Sequence, residues 1–166
     1  VTAFDKDERR VRIASTLAQE LGLANVSYYA GTLEGLQFET ATFDAIFCYS
    51  VFYYFDPRVA LKVIKKIMKQ GALLYINTND LGWYLHNLID THNDTESFSS
   101  RAMAVQTLKN TLDYYSMGER RKDVPIVTPI KALKNSLEEH GFDIIGIGGD
   151  GTIDLNNASP LSFYPP

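Results

Sequence analysis

The sequence has a single cysteine, Cys48, among its 166 residues. This excludes an internal disulfide and is typical of a reducing compartment. The sequence also has no apolar run near the roughly 20 residues that span a membrane, and no signal-peptide pattern. Its 16 basic and 20 acidic side chains give a net charge of −4, so no general nucleic-acid binding is expected. We therefore expect a cytoplasmic protein without a membrane partner.

No strand and no glycine-rich turn precede the first five residues. Val1–Asp5 is a β-prone run that ends in a carboxylate, and an amphipathic helix with Asp7 as its N-cap follows at once. In nucleotide-binding α/β folds this is the second strand of the unit, whose acid binds the ribose hydroxyls of adenosine. Taken alone, Asp5 is more often an ordinary surface aspartate.

Further β-prone or apolar runs predict strands at Val26–Ala30, Phe43–Tyr49, Ala72–Asn77 and Phe142–Ile147. The apolar run Phe43–Tyr49 is nearly continuous, which is typical of a strand covered on both faces. A turn at Asp150–Gly151 and a last strand at Leu161–Tyr164 would return beside Phe142–Ile147. The C-terminal end is therefore predicted to be an antiparallel strand pair.

Two helices share a start signal, a polar cap followed by proline, at Asp56-Pro57 and Thr128-Pro129. Glycines are predicted to end them, at Gly71 and Gly141. Strands that alternate with such helices predict an α/β fold with a doubly wound, mostly parallel sheet. We interpret residues 1–166 as a single domain.

Residues 79–127 interrupt this alternation and are interpreted as an insertion that caps the substrate. They predict helices near Leu81–Ile89 and Arg101–Leu112 with a polar tract between them. Inserted segments that follow the C-terminal end of a strand lie where such sheets bind ligands. Aromatic side chains that would wall a substrate site are Trp83, Tyr84, Tyr114 and Tyr115. The basic run Arg120–Lys122 would bind an anionic group of the substrate. An equally good interpretation is a solvated turn between two elements.

Two segments are more specific than Asp5. In the first, a strand enters the turn Gly31-Thr32-Leu33, and Leu36-Gln37-Phe38 follows. In the second, Phe43-Asp44 opens a buried strand, and Ser50 and the aromatic run Phe52–Tyr54 follow its C-terminal end. In this order and spacing the segments resemble the class I S-adenosylmethionine (SAM)-dependent methyltransferases. The resemblance is continuous over residues 1–78 and weaker over residues 128–164.

The resemblance implies a seven-stranded type of sheet, SAM as the cofactor and methyl transfer to a small-molecule acceptor, for example a sugar or a secondary metabolite. It implies that Asp5 binds the ribose and that Lys6 packs against the adenine. Thr32 stands where the family usually has an acid that bonds the adenine amino group, and the backbone of Leu33 would meet the ring. The change to Thr32 weakens that contact.

The resemblance also implies that Cys48, Tyr49 and Ser50 face the methionine portion of the cofactor. Tyr54 stands where many members have a histidine. No metal ligand is expected, and association of like chains is left open. An oxygen or nitrogen acceptor needs a general base, and the residues that qualify by type are His86, Asp90, His92, Asp94, Tyr53 and Tyr54. Each is more often structural or solvated, so no catalytic residue is assigned.

The family's first strand and its Gly-x-Gly loop, which hold the carboxylate end of the cofactor, have no counterpart in these residues. Without that strand Val1–Phe4 would lack a neighbour on one side. We therefore expect an upstream segment of roughly 40–60 residues, the length of a βα unit with its approach. Two other functions stay open, a cofactor-binding or scaffolding relative without turnover, and an NAD(P)-dependent dehydrogenase.

Overall fold

The computed structural model describes residues 1–35, 37–121 and 123–149, and the chain divides into two compact units. The first unit consists of Val1–Phe47 and Lys62–Tyr75. The second consists of Cys48–Leu61 and the chain from Ile76 onward. That residues 1–166 form one functional domain stays a prediction.

The first unit begins as the sequence predicts. Strand β1 (Thr2–Asp5) leads into helix α1 (Glu8–Glu20), and strand β2 (Ser27–Ala30) follows. The Asp7 side chain caps α1 by accepting a hydrogen bond from the Arg9 amide at 2.8 Å. Strands β1 and β2 pair in parallel, with Asp5 opposite Ala30. The pairing places the ends of both strands, and the residues that follow them, at one edge.

Strand β3 (Phe43–Cys48), helix α2 (Pro57–Ile67) and strand β4 (Met68–Ile76) come next. The two strands form a second two-stranded sheet. It is parallel, since Thr42 donates to Ile67 near one end and Asn77 donates to Cys48 near the other. The predicted cap of α2 is confirmed, because Asp56 Oδ1 accepts from the Arg58 amide at 3.0 Å.

The predicted end of α2 at Gly71 is wrong. The helix ends at Ile67, and Gly71 lies inside β4 with a left-handed φ of 75°. The reason is tertiary, because the amides of Ala41 and Thr42 bond the carbonyls of Lys66 and Ile67 at 3.0 and 2.8 Å. These bonds satisfy carbonyls that would otherwise need partners within the helix. The sequence around Gly71 does not contain that information.

Among its described residues, the second unit holds a short 3₁₀ helix (Phe52–Tyr54) and three α-helices, α3 (Leu81–Ile89), α4 (Ser100–Met117) and α5 (Ile130–Glu139). Helix α3 agrees with its prediction. Helix α4 runs to Met117 instead of Leu112, and Gly118 ends it in the left-handed region at φ 72°. Tyr84, Ala104 and Val127 form the buried core against which Leu88, Met103 and Leu108 pack.

The start of α5 also differs from its prediction. Pro129 stands at the N-cap in place of Thr128, and no side chain caps the helix. The Thr128 side chain is buried, and its hydroxyl has no hydrogen-bond partner within the described chain. Burial of Thr128 has therefore overridden the capping preference that its residue type suggests.

The predicted strand Phe142–Ile147 does not form within the described residues, and Ile145 is 86% exposed. A β-prone run becomes a strand only when a neighbour pairs with it. The turn Asp150–Gly151 and the strand Leu161–Tyr164, its expected neighbour, lie outside the described residues. The α/β class with parallel strand pairs is confirmed, whereas the larger sheet stays a prediction.

In the part of the chain that the structure describes, no helix combines the length and the apolar character needed to cross a bilayer.

The buried amide of Asn110 holds the loop after α4 in place. Its Nδ2 donates to the carbonyls of Val124 and Pro125 at 3.0 and 3.1 Å, and its Oδ1 accepts from the Arg121 amide at 2.8 Å. We expect Asn110→Ala to lower the free energy of unfolding by about 2 kcal/mol, because buried backbone groups lose their partners. Urea denaturation measures the change. Lys109→Ala, at the exposed neighbouring position, is the control, and equal effects of the two substitutions would contradict this role.

Candidate functional site

In the first unit, Asp5 stands at the C-terminal end of β1 with its carboxylate oriented by the backbone. One oxygen accepts a hydrogen bond from the Asp7 amide at 2.9 Å, and the other lies 3.7 Å from the Arg10 guanidinium. The side chain is 39% exposed. A cavity of about 170 Å³ adjoins it, lined by Ala3, Phe4, Asp5, Arg10, Val11, Ala14 and Tyr28. A half-exposed, oriented carboxylate of this kind can accept hydrogen bonds from ligand hydroxyls.

The turn after β2 lies beside Asp5. The Gly31 amide donates to the Asp5 carbonyl at 3.0 Å, so the two predicted contact regions of the first unit adjoin each other. Both the carbonyl and the hydroxyl oxygen of Thr32 accept from the Gly35 amide, at 3.1 and 3.2 Å. Leu33 is 3% exposed as a whole residue, so neither its side chain nor its backbone presents much surface to a ligand.

Lys6 is exposed directly after β1. Of the Leu36-Gln37-Phe38 segment, Leu36 lies outside the described residues. The Phe38 ring packs edge-on against Tyr29 and Phe43, with ring centres 5.8 and 5.0 Å apart. This aromatic contact joins the segment to β2 and β3 and stabilises the loop that follows the Gly31 turn.

In the second unit, Ser50 follows β3 in a strained backbone conformation. Its φ of 51° is left-handed, which costs a residue other than glycine about 1–3 kcal/mol and is frequent at functional sites. The Ser50 hydroxyl donates to Asn77 Oδ1 at 3.2 Å, and the Asn77 amide donates to the Cys48 carbonyl at 2.9 Å. Asn77 thus belongs with the predicted residues Cys48 to Ser50. Sequence reasoning missed it, although it is a polar residue at the end of the apolar run Ala72–Ile76.

Cys48 is a buried thiol, and desolvation raises its pKa to about 12. The side chain is therefore neutral at physiological pH, which excludes a thiolate nucleophile. Tyr49, the next residue, is partly buried. Together with Ser50 the two residues occupy the C-terminal end of β3, where the sequence predicts cofactor contacts.

Tyr54 lines a second cavity, of about 150 Å³, that lies within the second unit. Its lining residues are Tyr53, Tyr54, Asn79, Trp83, Tyr84, Phe98, Met103 and Pro125. The backbone around Tyr54 is held in place, because Ile126 donates to the Tyr53 carbonyl at 2.8 Å and Arg120 donates to the Tyr54 carbonyl. In the predicted basic run, Arg120 therefore stabilises the backbone of the protein itself. Lys122 of the same run lies outside the described residues.

The predicted aromatic wall is correct in part. Trp83 and Tyr84 line the cavity with their ring centres 5.1 Å apart, and Tyr53 and Tyr54 stand 4.9 Å apart. Tyr114 instead donates to Asp56 Oδ2 at 3.0 Å, and neither it nor Tyr115 belongs to the lining. Sequence reasoning missed Phe98, Met103 and Pro125, because their approach depends on how the helices pack.

Tyr84 is the most buried aromatic residue of this cavity, at 1% exposure. Burial raises the pKa of its hydroxyl, and the nearby Asn79 side chain opposes the shift only in part. The hydroxyl therefore stays protonated at physiological pH. The protonated hydroxyl cannot act as a general base there, and its oxygen is buried.

The candidate bases of the insertion lie elsewhere. Asp94 accepts from the Ser100 hydroxyl and amide, both at 2.6 Å, and these bonds lower the pKa of its carboxyl. The His92 amide lowers the pKa of Asp90 in the same way. His86, Asp90 and His92 form an exposed cluster, and none of these residues lines the cavity. A general base therefore stays unassigned.

Residues 1–76 match the family model described as a methyltransferase domain. Over 75 residues the chain is 37% identical to an uncharacterized methyltransferase, YcgJ, from Bacillus subtilis. This match covers 44% of the chain and 30% of YcgJ. The sequence match therefore spans less than a third of this curated relative, and the activity of a whole protein does not follow from the match alone.

Solved structures share the fold at low identity. The YcgJ crystal structure matches with a TM-score of 0.54 and 21% identity over 84% of the chain and 50% of that structure. A SAM-dependent methyltransferase from Aquifex aeolicus matches with a TM-score of 0.52 and 21% identity, over 85% of the chain and 57% of that structure. The [4+2]-cyclase SpnF matches with a TM-score of 0.57 and 18% identity, over 88% of the chain and 44% of that structure.

These structural similarities establish the fold, and the family match adds sequence evidence for the N-terminal part. The matched residues contain β1 with Asp5, the Gly31 turn and the Phe43–Tyr54 segment. These are the three features from which the resemblance was inferred. Residues 1–76 are thus similar in sequence to a methyltransferase domain, over the same stretch in which the resemblance is continuous.

Proposed function

We propose that the protein transfers the methyl group of SAM to a small-molecule acceptor. The observation that carries this proposal is the family match over residues 1–76. SAM brings an activated sulfonium, so the protein has to align the acceptor with the methyl group and exclude water. The proposal asks for no nucleophilic side chain, which agrees with the neutral state of Cys48.

We further propose that Asp5 binds the ribose hydroxyls of SAM. Its position at the end of β1 and the bond from the Asp7 amide support this role, because a fixed carboxylate oxygen loses little entropy on binding. Lys6, Thr32 and Leu33 are proposed to contact the adenine. The Thr32 hydroxyl already accepts from Gly35 and retains its hydrogen as a donor.

Cys48, Tyr49 and Ser50 are proposed to contact the methionine portion of SAM. The left-handed backbone of Ser50 and its bond to Asn77 support the proposal, because they fix the direction of the polar groups after β3. Tyr54 is proposed to contact both this portion and the acceptor. Arg120 donates a hydrogen bond to the Tyr54 carbonyl, which fixes the backbone from which the Tyr54 ring extends.

The cavity around Tyr84 is proposed to hold the acceptor. Its volume of about 150 Å³ equals that of an engineered protein cavity that admits benzene. An acceptor that presents one ring, such as a sugar or an aromatic metabolite, therefore fits. The Asn79 amide is proposed to supply a polar contact in a lining that is mainly aromatic and apolar.

Binding and turnover on the full protein test this function. We expect SAM to raise the melting temperature, NAD⁺ and NADP⁺ to leave it unchanged, and tritium from methyl-labelled SAM to appear in small molecules that present a ring. SAM binding without transfer to any acceptor would favour the scaffolding alternative. The protein SpnF has the same fold and is named a [4+2]-cyclase, so binding alone does not establish transfer.

A further inference from the structure

We infer that His86, Asp90 and His92 form a binding site for a divalent transition metal of the zinc class. His86 lies in the last turn of α3, Asp90 is the residue that directly follows the helix, and His92 comes two residues later. One ligand atom from each of the three side chains lies within 4.8 Å of the others. By sequence these residues are only candidate bases, and no metal ligand is expected. The inference is independent of the proposed methyl transfer.

The distances between the ligand atoms fit tetrahedral coordination. His86 Nε2 and His92 Nδ1 are 3.3 Å apart, and His92 Nδ1 and Asp90 Oδ1 are 3.4 Å apart. In a tetrahedral zinc site with metal–ligand distances of about 2.0–2.1 Å, two ligand atoms are separated by about 3.3 Å. Two of the three pairs therefore have the required spacing, and a small rotation of exposed side chains completes the third.

The backbone that carries the three ligands is held without any ion. The Asp90 amide donates to the His86 carbonyl at 2.9 Å, and the His92 amide donates to Asp90 Oδ1 at 3.0 Å. Arg101 on α4 donates to the Leu88 carbonyl at 3.0 Å and so ties the end of α3 to its neighbour. A site whose scaffold is already ordered binds its ion at a lower entropic cost.

The donor set selects the class of metal. Two imidazole nitrogens and one carboxylate suit Zn²⁺, and Co²⁺, Ni²⁺ and Cu²⁺ accept the same ligands. Mg²⁺ and Ca²⁺ prefer sites built from oxygen atoms alone. All three side chains are exposed, so the fourth position is open to water or to a small anion.

A simpler explanation of the same geometry exists, and it predicts no metal binding. Two neutral imidazoles 3.3 Å apart can share a hydrogen bond, and Asp90 can pair with a protonated His92. Both explanations predict that the three residues lie close together. They differ in whether a transition metal saturates the cluster with a defined stoichiometry.

Calorimetric titration of the tag-free full protein with Zn²⁺, after treatment with a chelator, separates the two explanations. We expect a site of one ion per chain that depends on both histidines, and a Co²⁺ form with the visible absorption of tetrahedral coordination. His86→Ala and His92→Ala should each weaken binding by at least about 10-fold, the lower end of what loss of an outer-shell partner costs. Circular dichroism verifies that each variant is folded.

His140→Ala is the matched control. The sequence has three histidines, and His140 is the one that lies outside the cluster, where its side chain bonds the Ser136 carbonyl at 2.7 Å. We expect it to bind Zn²⁺ as the wild type does. Absence of saturable binding up to millimolar Zn²⁺ would overturn the inference. Equal losses in His86→Ala and His140→Ala would overturn it as well, since they would indicate non-specific binding to surface imidazoles.

Discussion

Asp5→Asn is expected to weaken SAM binding by about 100-fold while the protein stays folded. Hydrogen bonds to a charged group contribute about 1.5–3 kcal/mol each, and a factor of 100 corresponds to about 2.8 kcal/mol. The amide keeps one acceptor oxygen, which can still bond the Asp7 amide. The loss therefore concerns the ribose contact rather than the turn. Isothermal titration of the full protein with SAM measures it.

Asp44→Asn is the matched control for this substitution. Asp44 is a carboxylate on β3 of the same unit, and its partner is Lys69 at 2.8 Å. Its side chain is 82% exposed, so its loss is expected to leave SAM affinity within about twofold, as for most surface changes. Equal affinities of the Asp5 and Asp44 variants would contradict the ribose role.

A second measurement ties the effect to the hydroxyls themselves. The wild type should bind S-adenosylhomocysteine more tightly than its 2′-deoxy analogue, and Asp5→Asn should lose most of that difference. This is a double-mutant cycle between a protein group and a ligand group, which isolates their direct interaction. Discrimination that persists in the variant would place the ribose contact on another residue.

The part of the fold that the sequence predicts well is governed by local signals. Asp7 and Asp56 cap their helices as expected, and β1 with its terminal carboxylate lies where its apolar run ends. Such features depend on a few neighbouring residues, and their physical causes are visible in the sequence. The family match covers the stretch of chain that contains these signals, residues 1–76.

The errors concern features whose cause is distant in the sequence. Gly71 would end a helix by its type, but donors from Ala41 and Thr42 end α2 four residues earlier. Thr128 has a capping side chain, but its burial excludes that role. Phe142–Ile147 has β propensity, but a strand also needs a partner that no local pattern supplies.

The candidate site divides in the same way. Asp5, the Gly31 turn and Ser50 are recognisable because strand ends are visible in the sequence. Asn77 could have been found by the same signal, as a polar residue that ends the apolar run Ala72–Ile76. The cavity around Tyr84 could not, because Phe98, Met103 and Pro125 come from segments that only the packing of α3 and α4 brings together.

Cys48 is expected to react with iodoacetamide about 1,000-fold more slowly in the native protein than in the unfolded protein at pH 8. Only the thiolate reacts, and a rise in pKa from 9.0 to about 12 reduces its fraction by three powers of ten. Peptide mapping after timed alkylation measures the rate at this residue. The native rate should keep rising tenfold per pH unit above pH 9, where the unfolded rate levels off. A native rate that levels off with the unfolded one would indicate restricted access without a shifted pKa.

The same shift fixes the sign of a stability change. The folded pKa lies above the unfolded one, so the contribution of the neutral buried thiol is fully present below pH 9 and is lost as pH rises towards about 12. Three pKa units correspond to a loss on the order of 4 kcal/mol.

Other groups titrate in this window, so the measurement is the difference in the free energy of unfolding between wild type and Cys48→Ala, from urea denaturation at each pH. The variant should be less stable than wild type at pH 8, because it leaves a cavity, and the gap should narrow above pH 9. A gap that stays constant from pH 8 to pH 11 would show that the thiol titrates alike in both states.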